Sequence, residues 1–281
     1  MKIDLHMHST YSDGTLSPEE LVKKSAERGL EVISLTDHDT TAGIAEAAKA
    51  AENYGIEFVP GIEISTYRGE AEYHILGYFI DIKNKDLKKL SDEIIQSRID
   101  RTKKIVSKLS EMGHQLDFED IKEYASGVSI GRPHIARALV KKGYVETVAD
   151  AFTDELIGGG SPAYVEKKKV RPETAVRTIL NAGGIPVIAH PFLINHGNPL
   201  VKKDIEKLKE AGLKGIEVYQ SKHDEVNTLR YKKIAEELNL IKTGGSDYHG
   251  DNSPGILPGE WGIDYDDYQK LKKAANRRDQ D

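Results

Sequence analysis

Short apolar, β-branched runs alternate along this chain with segments of helical character, and that alternation most narrows the folds open to it. Strand signatures stand at 3–8, 32–36, 57–65, 72–80, 185–190, 215–219 and 241–246. Between them, 18–28 reads as a helix, with Ser17 as N-cap, Pro18 at the first helical position and Gly29 as the stop. Residues 41–53 form an alanine-rich helix ending before Gly55, and 202–211 and 225–238 carry the 3.6-residue apolar period. Strands alternating with helices call for a parallel sheet, and seven of them for a barrel. Residues 57–80 break the rule, because two strand-like runs follow one another through Arg68-Gly69-Glu70 as a hairpin or an irregular corner.

From 86 to 165 the strand signal disappears. Residues 87–112 read as one or two charged amphipathic helices, 118–124 as a short one and 133–142 as another, before Gly158-Gly159-Gly160-Ser161-Pro162 marks the return. The expected organisation is a barrel domain formed by 1–85 and 166–281, interrupted by a helical insertion at 86–165. The end, 272–281, is expected to be a frayed polar tail.

Composition removes several classes of chemistry. The chain of 281 residues contains no cysteine, which excludes disulfides, thiolate metal sites and cysteine nucleophiles. A net charge of −6 gives no bulk attraction to nucleic acid or anionic membrane, so an anionic substrate must be drawn in locally. No run reaches the roughly 18 apolar residues that a membrane span needs. Met1-Lys2-Ile3-Asp4-Leu5-His6 enters a β-type segment at once and leaves no room for a leader, so a cytoplasmic location is expected.

The ten histidines are informative through their placement. His6 and His8, two apart on the first strand, face the same side, and Asp13 lies in the loop beyond. His38 follows the second strand in Thr36-Asp37-His38-Asp39, Glu63 lies near the end of the third, and His74 falls within the next run. His190 precedes Pro191, and Asp247-Tyr248-His249 follows the last strand. In a barrel of parallel strands the C-terminal ends converge on one face, where active sites sit. Six histidines and three carboxylates at such places, without thiolates, suit zinc, manganese or iron better than calcium or magnesium.

Duller roles compete for the neighbours. Asp39 is expected to cap the helix from Thr41, Asp37 either to orient a ligand or to bond its own backbone, and His114 and His196 to be exposed. Lys167–Lys169, beside Glu166, read as a solvated edge.

Asp4-Leu5-His6-Met7-His8-Ser9, Thr36-Asp37-His38-Asp39, Gly61-Ile62-Glu63, Ala189-His190-Pro191 and Gly245-Ser246-Asp247-Tyr248-His249 closely resemble the motifs of the PHP (polymerase and histidinol phosphatase) superfamily. The resemblance spans nearly the whole chain outside the expected insertion. It implies a distorted (β/α)7 barrel and a trinuclear site. His6, His8, Glu63 and Asp247 would hold one metal and Asp13, His38 and His249 a second, with Glu63 bridging to a third completed by His74 and His190. Asp13 stands where relatives carry His or Asp, and this hard oxygen donor favours manganese among the three divalent ions, with zinc or iron as alternatives.

The resemblance is strongest to small phosphoesterases with a helical insertion, among them nucleoside 3′,5′-bisphosphate phosphatases and 5′–3′ exonucleases of short RNA. Gly131-Arg132-Pro133-His134 in the insertion points there. Two metals about 3.5–4 Å apart can share a hydroxide that attacks phosphorus at neutral pH, so no protein nucleophile is needed. Asp13, Glu63 and Asp247 are then the catalytic carboxylates. Arg132 is suited to clamp a second phosphate in bidentate fashion, with His134 assisting. His223, after the sixth strand, is a candidate to contact phosphate or protonate the leaving group. The competing expectations are a histidinol-phosphate phosphatase and a non-catalytic PHP module that binds nucleic acid or a partner.

Overall fold

Ile3–Asp4 (β1) opens a seven-stranded sheet whose strands follow one another in chain order. The computed structural model describes residues 1–124, 130–194 and 199–276. Val32–Leu35 (β2) and Glu57–Arg68 (β3) add in parallel, with Ile3 opposite Val32 and Val32 opposite Glu57. Ala71–Tyr78 (β4) runs antiparallel to β3 through a hairpin at Gly69, whose φ of 63° suits glycine. It is also antiparallel to Ile185–Ile188 (β5); Gly215–Gln220 (β6) and Ile241–Gly245 (β7) restore the parallel order. Leu5 N–H donates to Gly244 O and Met7 bridges Tyr248, which brings the first strand back against the last in a nearly closed barrel.

The first helix between strands forms where the sequence places it. Pro18–Glu27 (α1) begins with a capping box, Ser17 Oγ accepting from Glu20 N–H and Glu20 from Ser17 N–H. Its buried face, Leu21 and Val22, packs with Ala47 and Ala51 of Ile44–Tyr54 (α2) against Ile33 and Leu35. A second cluster joins Leu5, Val59, Leu76 and Val187 with Tyr268 and Leu271.

The chain divides into two compact units, Met1–Leu90 with Lys169–Asp281, and Ser91–Lys168. Lys85–Glu111 (α3) is a single helix that continues from one into the other. The second unit adds Phe118–Lys122 (α4), Arg132–Lys141 (α5) and a 3₁₀ turn at Ala149–Phe152. It has its own core of Ile105, Leu109, Ile121, Ile135, Leu139 and Ile157.

Three helical expectations need correction. Pro172–Asn181 (α6) forms where none was expected, on a stripe of Ala175, Val176 and Ile179. Lys202–Glu210 (α7) and Glu225–Glu237 (α8) lie within the expected ranges. The expected polar tail is instead helical over Tyr265–Asn276 (α9), because Tyr268 and Leu271 bury against the barrel; residues 277–281 lie outside the described residues. The second helix starts at Ile44 rather than Thr41, behind Gly43. No helix among the described residues is long and apolar enough to cross a membrane.

Candidate metal centre

The strand ends deliver the nine expected side chains to one place. His6 and His8 follow β1, His38 follows β2, and Glu63 sits within β3, opposite His38 across an isolated parallel bridge. His74 lies early in β4, opposite Ser65, because an antiparallel strand reaches the same face from its start. His190 follows β5, and Asp247 and His249 follow β7. Asp247 (φ 56°) and His190 (φ 24°) both adopt left-handed backbone, a strain that surrounding contacts must hold in place.

Three groups of donors result. His6 Nε2 and His8 Nε2 each lie 3.3 Å from both Glu63 Oε2 and Asp247 Oδ1. A regular tetrahedron of that edge has its corners about 2.0 Å from its centre, the length of a zinc–nitrogen bond. Asp13 is 3.3 Å from His249 Nε2 and 3.7 Å from His38 Nε2. His8 also reaches this second group, its Nδ1 being 3.9 Å from Asp13. Around the other oxygen of Glu63, His74 Nδ1 and His190 Nε2 lie 3.0 Å from Oε1 and 3.2 Å from each other. Glu63 thus faces His6, His8 and His38 with one oxygen and His74 and His190 with the other.

The electrostatics match a site built for cations. Burial alone would raise Glu63, yet His38, His74 and His6 hold it well below the carboxylate range. Asp13 and Asp247 are likewise pushed up by burial but held low, chiefly by His38 and by His6 respectively. Burial disfavours charge on His74 and His249, but Glu63 raises the first to about 10 and Asp13 the second to about 9. His8 falls to about 4 through burial and through His249, on which its ring stacks at 4.1 Å. Among the described residues, His6 Nε2, both nitrogens of His8, His38 Nδ1 and Glu63 Oε2 are buried without a hydrogen bond. Each such group costs about 1–3 kcal/mol if left so. Imidazole nitrogens and carboxylate oxygens at these spacings therefore fit divalent metal ions.

A set of partners that the sequence did not disclose holds these side chains. Glu217, fully buried on β6, accepts from His6 Nδ1 at 2.8 Å and from His190 N–H at 2.7 Å. Its only trace in the sequence is a carboxylate within the apolar run of a barrel strand. Gln220 Nε2 donates to Asp247 Oδ2 at 3.3 Å. Asp4 takes N–H bonds from His6, Ser246 and Gly259; burial raises it to about 6 in spite of them. Asp37 accepts from Ser9 N–H, Ser9 Oγ and Ser12 Oγ, and so holds the loop that carries Asp13 rather than bonding its own backbone. Asp39, expected to cap a helix, instead accepts from Ser65 N–H at 2.7 Å, because β3 runs past it before α2 begins.

The remaining candidates sit as follows. Burial lowers the pKa of His223; its Nδ1–H donates to Val218 O, and its Nε2 is buried without a hydrogen bond. In the helical unit, Arg132 donates to Ile157 O and its guanidinium lies 5.6 Å from the Phe152 ring centre. His134 is buried, its Nδ1 accepting from Gly131 N–H at the start of α5. His114 is partly covered by Tyr144, edge to face at 5.0 Å, rather than simply exposed, and His196 lies outside the described residues. Lys168 pairs with Glu93 and Lys169 with Glu70.

The profile of the PHP domain matches residues 4–158. The 3′,5′-nucleoside bisphosphate phosphatase of Chromobacterium violaceum is 36% identical over 263 residues, spanning 93% of this chain and 90% of that protein. The 5′-3′ exoribonuclease of Haemophilus influenzae is 38% identical over 248 residues, or 88% and 90% of the two chains. A Bifidobacterium adolescentis crystal structure, assigned as a metal-dependent phosphoesterase, superposes with a TM-score of 0.87 at 30% identity, covering 97% of this chain and 96% of that one. The chain belongs to the PHP domain family and is a phosphoesterase.

Proposed function

We propose that this enzyme hydrolyses phosphate esters of nucleotides, taking 3′,5′-nucleoside bisphosphates or short 5′-phosphorylated oligoribonucleotides. The observation that carries this reading is that two of the three donor groups share Glu63, one at each oxygen, and that His8 and His38 join the remaining group to them. The ligand assignment is His6, His8, Glu63 and Asp247 for one ion, Asp13, His38 and His249 for a second, and Glu63, His74 and His190 for a third. Manganese is the first choice, with zinc and iron as alternatives. When bound, such ions supply an activated water and offset the charge that builds on phosphoryl oxygens.

The protein's own groups do the rest. Asp13, Glu63 and Asp247 stay ionised under the surrounding imidazoles, so they balance cationic charge without a proton to lose. His223 spends its Nδ1–H on Val218 O, leaving Nε2 for substrate. Its lowered pKa, caused first by burial, makes it neutral near pH 7 and suits it to accept a hydrogen bond from a substrate hydroxyl. To act as the acid it must first take up a proton.

The helical segment is read as an insertion that selects substrate. Arg132 offers a fork-shaped cation to a second phosphate, and His134 assists by fixing the turn from which Arg132 projects. The nucleotide reading draws on the named activities of the two relatives, and a cytoplasmic location is proposed beside it.

The test is phosphate release with manganese from adenosine 3′,5′-bisphosphate, adenosine monophosphates, a 5′-phosphorylated RNA trimer and histidinol phosphate in parallel. Preference for the bisphosphate or the RNA is expected. Preference for histidinol phosphate would overturn the nucleotide assignment, and silence on all four with metal bound would favour a binding module.

A further inference from the structure

β6 supplies none of the nine ligands assigned above, yet it touches three of them. Its pairing with β7 slips between Glu217 and Tyr219: Glu217 faces Thr243, Tyr219 faces Gly244, and Val218 is the extra residue of a bulge. On a regular strand Glu217 and Gln220 would point to opposite faces. The bulge lets Glu217 reach His6 and His190 while Gln220 reaches Asp247. It also turns out the Val218 carbonyl that holds His223.

We propose that Glu217 is a positioning residue that ties the first and third donor groups together, and that the β6 bulge exists to place it. Its two oxygens have different tasks. Oε1 fixes the His6 proton on Nδ1, which leaves Nε2 as the ligand atom between Glu63 and Asp247. Oε2 takes the N–H of His190, where the backbone is held at φ 24°, and so maintains the turn that aims His190 Nε2 at Glu63 Oε1. Both partners are N–H donors, so only a group with two acceptor oxygens satisfies them. A glutamine of the same shape accepts from one and opposes the other with its NH₂. Facing His6, that NH₂ drives the imidazole proton onto Nε2 and blocks the ligand atom. Facing His190, it displaces the backbone N–H from the acceptor it has at 2.7 Å.

This inference rests on the ligand assignment proposed above, and the experiment separates the two. Metal-free wild type and Glu217→Gln are titrated with manganese by calorimetry, and bound metal per chain is counted after gel filtration. Glu217→Gln is expected to hold at least one ion fewer, or to bind at least tenfold more weakly, at an unchanged far-UV circular dichroism spectrum. Equal stoichiometry with affinity within twofold of wild type would overturn the role of Glu217, whereas a wild type that binds no metal would overturn the ligand assignment itself. Should the variant fail to fold, long-range ¹H–¹⁵N NMR of zinc-loaded wild type decides. A proton on His6 Nδ1 supports the inference, and a bare Nδ1 refutes it.

Discussion

His38 and Glu63 face each other across a lone parallel bridge, and their side chains meet where the backbones do, His38 Nδ1 lying 3.1 Å from Glu63 Oε2. The flanking bonds, Asp39 N–H to Glu63 O and Glu63 N–H to Asp37 O, extend the β2–β3 pairing beyond the end of β2. The carboxylate shared by the cluster is therefore mounted on paired backbone rather than on a free loop.

Because five imidazoles lie against its two oxygens, Glu63→Gln is expected to disturb more than one donor group. Bound manganese per chain should fall by at least two ions, with phosphatase activity reduced by at least a hundredfold. Elemental analysis of the purified variant gives the count. Loss of a single ion would mean that Glu63 does not bridge.

Loading the site should release protons. His74, raised to about 10, and His249, raised to about 9, carry protons at pH 7 in the metal-free protein, and metal binds only the neutral ring. Each raised group must give up its proton on ligation, so affinity should climb as pH rises from 6 to 8. Adding manganese to metal-free protein in weak buffer at pH 7 and back-titrating with base measures the release. An unchanged pH would remove these two histidines from the ligand set.

Arg132→Ala should raise KM for a nucleoside bisphosphate roughly ten- to hundredfold, the worth of a charge-assisted pair, and leave simple monoesters nearly unaffected. Arg132→Lys keeps the charge but not the fork, and should recover only part of the loss. Steady-state kinetics on both substrate types checks this, and equal losses on both would exclude the clamp. Some loss of thermal stability in Arg132→Ala is also expected, since the guanidinium bonds Ile157 O.

Away from the donor cluster, Glu57 supplies an acid-side limb of stability. Partial burial pushes its carboxyl up, but hydrogen bonds from Lys272 and Tyr268 hold it below its ordinary 4.5. A lowered folded pKa means that the stabilisation is complete above the unfolded value and disappears as pH falls through the folded one. Melting curves of metal-free protein between pH 3 and 6 should show Glu57→Gln less stable than wild type at pH 6, with the difference shrinking towards pH 3. A constant difference would exclude the linkage.

The cluster's donors stood out in the sequence because chemistry restricts them: histidines and carboxylates recurring at the ends of apolar runs have few other uses. Glu217 did not, since a single inward carboxylate reads like the polar half of an alternating strand. Asp39 misled because aspartate is among the preferred N-cap residues, and only the passage of β3 beside it supplies the Ser65 N–H that it takes. The helix Tyr265–Asn276 was hidden by its charge, with few apolar side chains to mark its inner face.

By itself the sequence determined the alternation of strands and helices, the break in that alternation at 57–80 and the identity of the clustered histidines and carboxylates. These follow from local periodicity, turn chemistry and side-chain type. Only the tertiary structure decided which oxygen of Glu63 faces which imidazole, that β6 bulges at Val218, and that Asp4, Asp37 and Glu217 act as buried supports. The reason is physical: a hydrogen bond between residues 27 to 255 positions apart depends on sheet register, and register is set by the packing of the whole barrel.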